Sequence, residues 1–197
     1  MMKLRLVTMI LLGALLTGCA QNTETTVEAS QTEGMISTEE VSQSEAQAEE
    51  PYVVSFEANT IEGEAFSSDV FSQSRLTMIN VWATYCNPCL SEMPDLGEIA
   101  VEFDSAEFQM IGVISDVEEG AAEDHIANAK ELIEQTKANY PHLLLSESLY
   151  TNLVGGINSV PTTFFVDQKG ELLGYVMGAQ SKETWVSIIE ELLSKCD

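Results

Sequence analysis

Two cysteines, Cys86 and Cys89, stand two residues apart in the run Trp82-Ala83-Thr84-Tyr85-Cys86-Asn87-Pro88-Cys89. A pair at this spacing can close a small disulfide ring. Leu90, Met93, Leu96, Ile99 and Phe103 then recur at helical spacing, so the pair is predicted to open a helix. At a helix N-terminus, unpaired backbone N–H groups and the dipole favour an anion on the first sulfur. The thiolate is the species that attacks a disulfide: a thiol of pKa ~8.5 is about 3% ionised at neutral pH, whereas one lowered to ~7 is about half ionised. Cys86 is therefore expected to attack, and Cys89, one turn inward, to resolve the mixed disulfide. The same spacing is also half of a zinc site, which needs two further ligands. There is no second C-x-x-C, Cys196 is distant in sequence, and His125 and His142 fall on a predicted helix and at a predicted strand edge. Thiol exchange is the stronger reading, and no metal is expected.

The pair needs elements to hold it. Residues 75–82 read as a strand that becomes continuously apolar toward its end, as a buried central strand does. Residues 52–56 read as a strand, residues 59–66 as a hairpin around Glu62-Gly63, and residues 108–114 as a second buried strand. A long amphipathic helix is predicted over 121–138, a short edge strand over 143–145 and a short helix over 149–154. Residues 162–166 and 172–176 form a hairpin around the turn at 167–170, and residues 184–193 close the chain as a helix, with Trp185, Ile188, Ile189, Leu192 and Leu193 on one side. This order predicts an α/β fold, a mixed sheet covered by helices. The methionines are read as core fillers and His125 as a solvated helix residue.

The N-terminus has different chemistry. A cationic head with Lys3 and Arg5 precedes an apolar run over residues 6–16, the layout of a bacterial secretion signal. The run is shorter than the ~20 residues that span a bilayer. It ends in Leu16-Thr17-Gly18-Cys19, which resembles the lipobox of bacterial lipoproteins. That resemblance implies cleavage after Gly18 and a diacylglyceryl thioether on Cys19. Residues 20–50 hold eight glutamates, no Lys, Arg or Asp, and no aromatic residue. Such a segment buries too little apolar area to offset ordering, so residues 19–50 are expected to be a disordered, lipid-attached tether. The 197 residues carry 8 basic and 32 acidic side chains, a formal net charge of −24 that becomes −26 when Lys3 and Arg5 leave with residues 1–18. A nucleic-acid partner is excluded on this balance, because such binding rests on neutralising phosphates.

The segment WATYCNPCLSEMP at 82–94 resembles the active site of the TlpA/ResA-like family of extracytoplasmic thioredoxins. The run from Gly156 to Asp167, with Val160-Pro161-Thr162, resembles that family's loop before its fourth strand. The resemblance covers roughly residues 52–195. It implies a thioredoxin fold over 51–197, with an N-terminal strand or hairpin extension and an inserted helix. Cys86 and Cys89 match the redox pair, and Pro161 the family's cis-proline, beside which Val160 backbone groups pair with a substrate strand. Trp82 and Tyr85 match positions that meet substrate, although the family often has Trp where Tyr85 stands. Pro94 matches a proline that kinks the helix. Glu92 matches a glutamate that tunes thiol ionisation, against the plain alternative of an exposed first-turn residue.

The family implies an enzyme without cofactors, a reductase of disulfides in exported proteins, extracytoplasmic and held to a bacterial membrane by its lipid. Clients of the apocytochrome c or methionine sulfoxide reductase kind, and a membrane electron donor of the CcdA type, are implied with it. Two alternatives stay open: an oxidant that installs disulfides with the same motif, and a non-catalytic binding lipoprotein. A peroxidatic site is disfavoured because Ala83 stands where a Thr or Ser is expected. Copper-delivery relatives use C-x-x-x-C, one residue longer than the spacing here.

Overall fold

The computed structural model describes residues 50–196; the leader over residues 1–18, Cys19 and the tether up to residue 49 lie outside the described residues. In chain order the elements are β1 (Glu57–Asn59), β2 (Ala65–Ser67), a 3-10 turn (Ser68–Gln73), β3 (Leu76–Trp82), α1 (Asn87–Ile99), β4 (Phe108–Glu118), α2 (Glu123–Thr136), β5 (His142–Leu145), α3 (Glu147–Leu149) with a π-turn after it (Tyr150–Val154), β6 (Thr162–Asp167), β7 (Leu172–Met177) and α4 (Lys182–Leu193). The main sheet runs β5-β4-β3-β6-β7. Its β3–β4 and β4–β5 pairs are parallel, and its β3–β6 and β6–β7 pairs are antiparallel. This is the expected mixed thioredoxin-type sheet flanked by helices. The expected inserted helix is α2, between the parallel strands β4 and β5, and β1–β2 is the expected N-terminal hairpin.

β3 is central because both of its faces are apolar, and all seven of its residues are buried. Side chains alternate across the sheet, so Leu76, Met78 and Trp82 pack with Cys89, Met93 and Leu96 of α1, Ala129 of α2, and Trp185 and Ile189 of α4. Ile79 and Val81 face the other way, onto Phe56, Phe71, Leu149, Leu153 and Val154. Met78, Met93 and Met110 are core residues, whereas Met177 is 59% exposed on β7.

Two expectations are corrected. The predicted strand over 52–56 is only an isolated bridge between Val53 and Glu171, because the chain turns onto the sheet face to bury Val54 and Phe56. The helix expected to run to Phe103 stops at Ile99. Pro94 sits inside α1, which runs through it unbroken although a proline removes one helical donor.

Candidate active site

Cys86 is the N-cap of α1, with extended backbone at φ −87° and ψ 93°. Its own N–H donates to Ala83 O at 3.0 Å, and its carbonyl accepts from Leu90 N–H at 3.1 Å. Pro88 lies in the first turn, where a missing N–H leaves no helical bond unmade. The Cys89 N–H is thereby aimed at Cys86 Sγ, 3.2 Å away. A donor and a helix N-terminus at this sulfur favour the charged form of the thiol once the pair is reduced. In this structure Cys86 and Cys89 are joined as a disulfide. Cys86 is 5% exposed and Cys89 0%, so the first sulfur is the one nearer solvent.

The loop ahead of the pair is held by Asp116 near the end of β4. Its carboxylate accepts from Thr84 N–H at 3.0 and 3.1 Å and from Thr84 Oγ1 at 2.5 Å. Sequence reading ended this strand at residue 114 and so missed Asp116. The antiparallel pairing of β3 with β6 brings the second motif to the first. The Val160–Pro161 bond is cis, and Val160 O lies 3.6 Å from Cys86 Sγ. With the disulfide closed Cys86 has no S–H, so this is a contact and not a hydrogen bond.

Glu92 follows Cys89 by three residues, on the inner side of α1, and is only 3% exposed. The exposed first-turn alternative is therefore overturned. Its carboxylate accepts from Asn80 Nδ2 at 3.2 Å, Gln180 N–H at 3.1 Å and Trp185 Nε1 at 3.2 Å. Burial pushes the Glu92 carboxyl above the usual range; the three hydrogen bonds oppose that shift, and nearby Asp95 adds to it. Asn80 also donates to Thr163 Oγ1 at 3.0 Å, so this one carboxylate ties α1 to β3, β6 and α4. Asn80 carried a signal that the sequence reading passed over. It is a polar residue inside an otherwise apolar central strand, and a buried polar group requires a partner.

Trp82 is corrected. It is fully buried, and its Nε1 donates to His142 Nδ1 at 3.2 Å, so it belongs to the core beneath the site and not to a surface that a substrate meets. His142 opens the edge strand β5, yet its ring points inward and is 2% exposed. Its Nε2 lies 2.9 Å from Ala138 O and so carries the proton, and its ring stacks on Tyr140 at 4.5 Å between centroids. Tyr85, by contrast, is 74% exposed next to Cys86.

Comparison with known proteins agrees with this architecture. Residues 51–174, well over half of the chain, match the AhpC/TSA family. The thiol-disulfide oxidoreductase ResA of Bacillus cereus is 24% identical over 116 residues, covering 58% of this chain and 61% of that protein. This chain thus matches about three fifths of the length of such curated relatives. A thiol:disulfide interchange protein of the thioredoxin family from Chlorobium tepidum superposes with a TM-score of 0.60 at 26% identity, over 73% of this chain and 97% of that one. The pneumococcal exposed lipoprotein thioredoxin from Streptococcus pneumoniae superposes with a TM-score of 0.56 at 25% identity, over 70% and 98% of the two chains. A disulfide capping the first helix of a mixed five-stranded sheet, with a cis-proline against its outer sulfur, agrees with these likenesses, and the match over residues 51–174 places the chain in the AhpC/TSA family, with a thioredoxin-type fold.

Proposed function

We propose that this chain is a membrane-tethered, extracytoplasmic thiol–disulfide oxidoreductase that reduces disulfides of exported proteins through Cys86 and Cys89. The observation that carries the reading is the Cys89 N–H aimed at Cys86 Sγ, at the N-terminus of α1 and beside Val160. In the reduced form Cys86 thiolate attacks one sulfur of a substrate disulfide. That S–S bond breaks, a Cys86–substrate disulfide forms, and the expelled substrate thiolate takes a proton. Cys89, as thiolate, then attacks Cys86 Sγ, closes the protein disulfide and expels the second substrate thiolate. Two electrons and two protons pass to the substrate. Glu92, buried with a raised affinity for its proton, is the group assigned to receive the Cys89 proton. Pro161 and Val160 offer the backbone against which the substrate segment lies.

Attachment rests on Leu16-Thr17-Gly18-Cys19, with residues 1–18 as leader, Cys19 lipidated and 19–50 as tether. The exposed-lipoprotein character of the pneumococcal relative supports it, and among the described residues no helix is long and apolar enough to cross a membrane. Outside the cytoplasm no glutathione pool resets the pair, so a membrane thiol donor of the CcdA type is assigned to re-reduce it. Clients of the apocytochrome c or methionine sulfoxide reductase kind fit that direction.

The direction is tested by the reduction potential of the Cys86–Cys89 couple in the chain carrying Cys196→Ser. A value near or below about −250 mV is expected for a reductase. A value near about −120 mV marks a disulfide-forming oxidant instead. The absence of any reversible two-electron couple would leave a binding protein.

A further inference from the structure

Asn80 is fully buried in the middle of β3, where a Leu or Val would avoid burying an amide. Its neighbours across the sheet leave it few partners. On one side it pairs with Gly112, which has no side chain, and beyond that stands His142, whose Nδ1 faces Trp82 Nε1 and whose Nε2 faces Ala138 O. On the other side it pairs with Thr163. Asn80 Nδ2 donates to Thr163 Oγ1 at 3.0 Å and to Glu92 Oε1 of α1 at 3.2 Å. Its Oδ1 is buried and has no hydrogen-bond partner among the described residues. An unpaired buried oxygen is costly in a core, and its persistence directs attention to the two groups at the other end of the amide.

Glu92 needs that end. Its Oε2 accepts from both Gln180 N–H and Trp185 Nε1, whereas its Oε1 accepts from Asn80. A carboxylate only accepts, so an ionised Glu92 must meet the NH2 of the amide, as it does here. A Glu92 protonated on Oε1 is a donor there, and the NH2 no longer suits it. A half-turn of the amide about the Asn80 Cβ–Cγ bond exchanges its two ends. Oδ1, unpaired in the first arrangement, then accepts from the Glu92 O–H. Thr163 permits both arrangements, because its hydroxyl accepts from the NH2 in one and donates to Oδ1 in the other.

We infer that Asn80 is a positioning residue that keeps Glu92 hydrogen-bonded in both protonation states by turning its amide, with Thr163 as its second partner in each. Glu92 thereby takes up the Cys89 proton and releases it without leaving its own Oε1 unmatched in the core. The inference rests on the oxidoreductase reading above, in which Glu92 receives that proton. The titratable groups acting on Glu92 are Asp95 of α1, Tyr140 from the segment ahead of β5 and, once the pair is reduced, Cys89. β3 and α4 face it with the uncharged Asn80 and Trp185, and β6 reaches it through Thr163. A hydrogen bond to a charged acceptor is stronger than one to a neutral group. Removing Asn80 therefore costs the carboxylate more than the acid, and Glu92 ionises at higher pH.

The test uses the full chain, reduced, carrying Cys19→Ser and Cys196→Ser so that the pair alone reacts with the chromogenic disulfide of thionitrobenzoate. Attack by Cys86 releases one thionitrobenzoate at a rate set by the reagent concentration. Cys89 then gives its proton to Glu92, attacks Cys86 Sγ and expels the second thionitrobenzoate at a rate independent of that concentration. Asn80→Leu is expected to move the pH midpoint of this second phase up by about one unit, a slowing of about tenfold below the midpoint. In a Glu92→Gln background the same substitution is expected to leave the pH profile of the second phase unchanged. The NMR signals of the Asn80 side-chain NH2 in the reduced chain are expected to shift with pH at the midpoint of the unsubstituted Asn80 chain, and to stay flat in Glu92→Gln. A midpoint that Asn80→Leu leaves in place, an equal effect without Glu92, or an NH2 signal indifferent to pH overturns the inference. The NH2 signal decides the matter even where Asn80→Leu does not fold. If the second thionitrobenzoate is never released, or only in proportion to the reagent, the oxidoreductase reading itself fails.

Discussion

Glu92 and His142 are both buried, and their protons respond to pH in opposite senses. Burial lowers the His142 pKa from 6.5 to about 4, opposed by the hydrogen bond to Ala138 O. Its Nδ1 already accepts the Trp82 N–H, so a second proton there has no place. Above pH 6.5 neither state protonates this ring. Between 6.5 and about 4 the unfolded chain takes a proton that the folded chain refuses, so folding stability falls as the solution is acidified, by roughly 3 kcal/mol over the window. Glu92 works the other way. Its folded pKa lies above 4.5, so the stability it adds is complete below 4.5 and is lost as pH rises through the folded value. Urea unfolding between pH 4 and 8 checks both signs. His142→Gln is expected to flatten the acid-side loss relative to wild type, and Glu92→Gln to remove the loss on the alkaline side. An unchanged slope in His142→Gln would mean that the ring titrates normally. The legibility of these two residues differed. Glu92 was reached through its place in a familiar motif, while His142 looked like a strand-edge residue, because its partners come from β3 and from the backbone before β5.

At the scale of elements, β4 and β5 meet where the larger partner is a ring and the smaller has no side chain. Gly112 of β4 pairs with His142 of β5. A Cβ on Gly112 would stand 2.2 Å from His142 Nδ1, an overlap neither strand can relieve without shifting. Gly112→Ala is therefore expected to destabilise the chain by about 2–3 kcal/mol in denaturant unfolding at pH 7. A loss below ~0.5 kcal/mol would show that the ring has room to move. Most elements were legible from periodicity: β3 from its apolar run, α1 from its spacing, the β6–β7 hairpin from its turn. The failures share one cause. Residues 52–56 have the composition of a strand, but they pair only around Glu171, just ahead of β7, with Leu172 N–H donating to Tyr52 O and Val54 N–H to Gly170 O, before the chain leaves for the sheet face. Residues 149–154 have helical composition, and the π-turn that reorients Tyr150 is set by the neighbouring Gly155 and the core beneath it.

At the scale of the whole molecule, a net charge of −24 repels anionic lipid headgroups, so the proposed membrane tethering is assigned to a lipid on Cys19 and not to the protein surface. Cys19→Ser is expected to move the chain from the membrane fraction to the soluble fraction, with its redox couple unchanged. Retention of that variant on the membrane would point to a different anchor. What the sequence determined by itself was the ingredients of the site and their order: the C-x-x-C pair at a helix start, the α/β order and the Val160-Pro161 motif. These are local, written in spacing and residue type along one stretch of chain. Only the tertiary structure decided which polar side chains meet. It placed Asn80, Gln180 and Trp185 around Glu92, turned Trp82 away from the surface onto His142, pinned Thr84 on Asp116, and brought Tyr85 and Tyr150 to one groove. Those pairings, from 12 residues apart for Asn80 and Glu92 to 93 for Glu92 and Trp185, arise from strand register and helix packing, and a linear pattern carries no record of either.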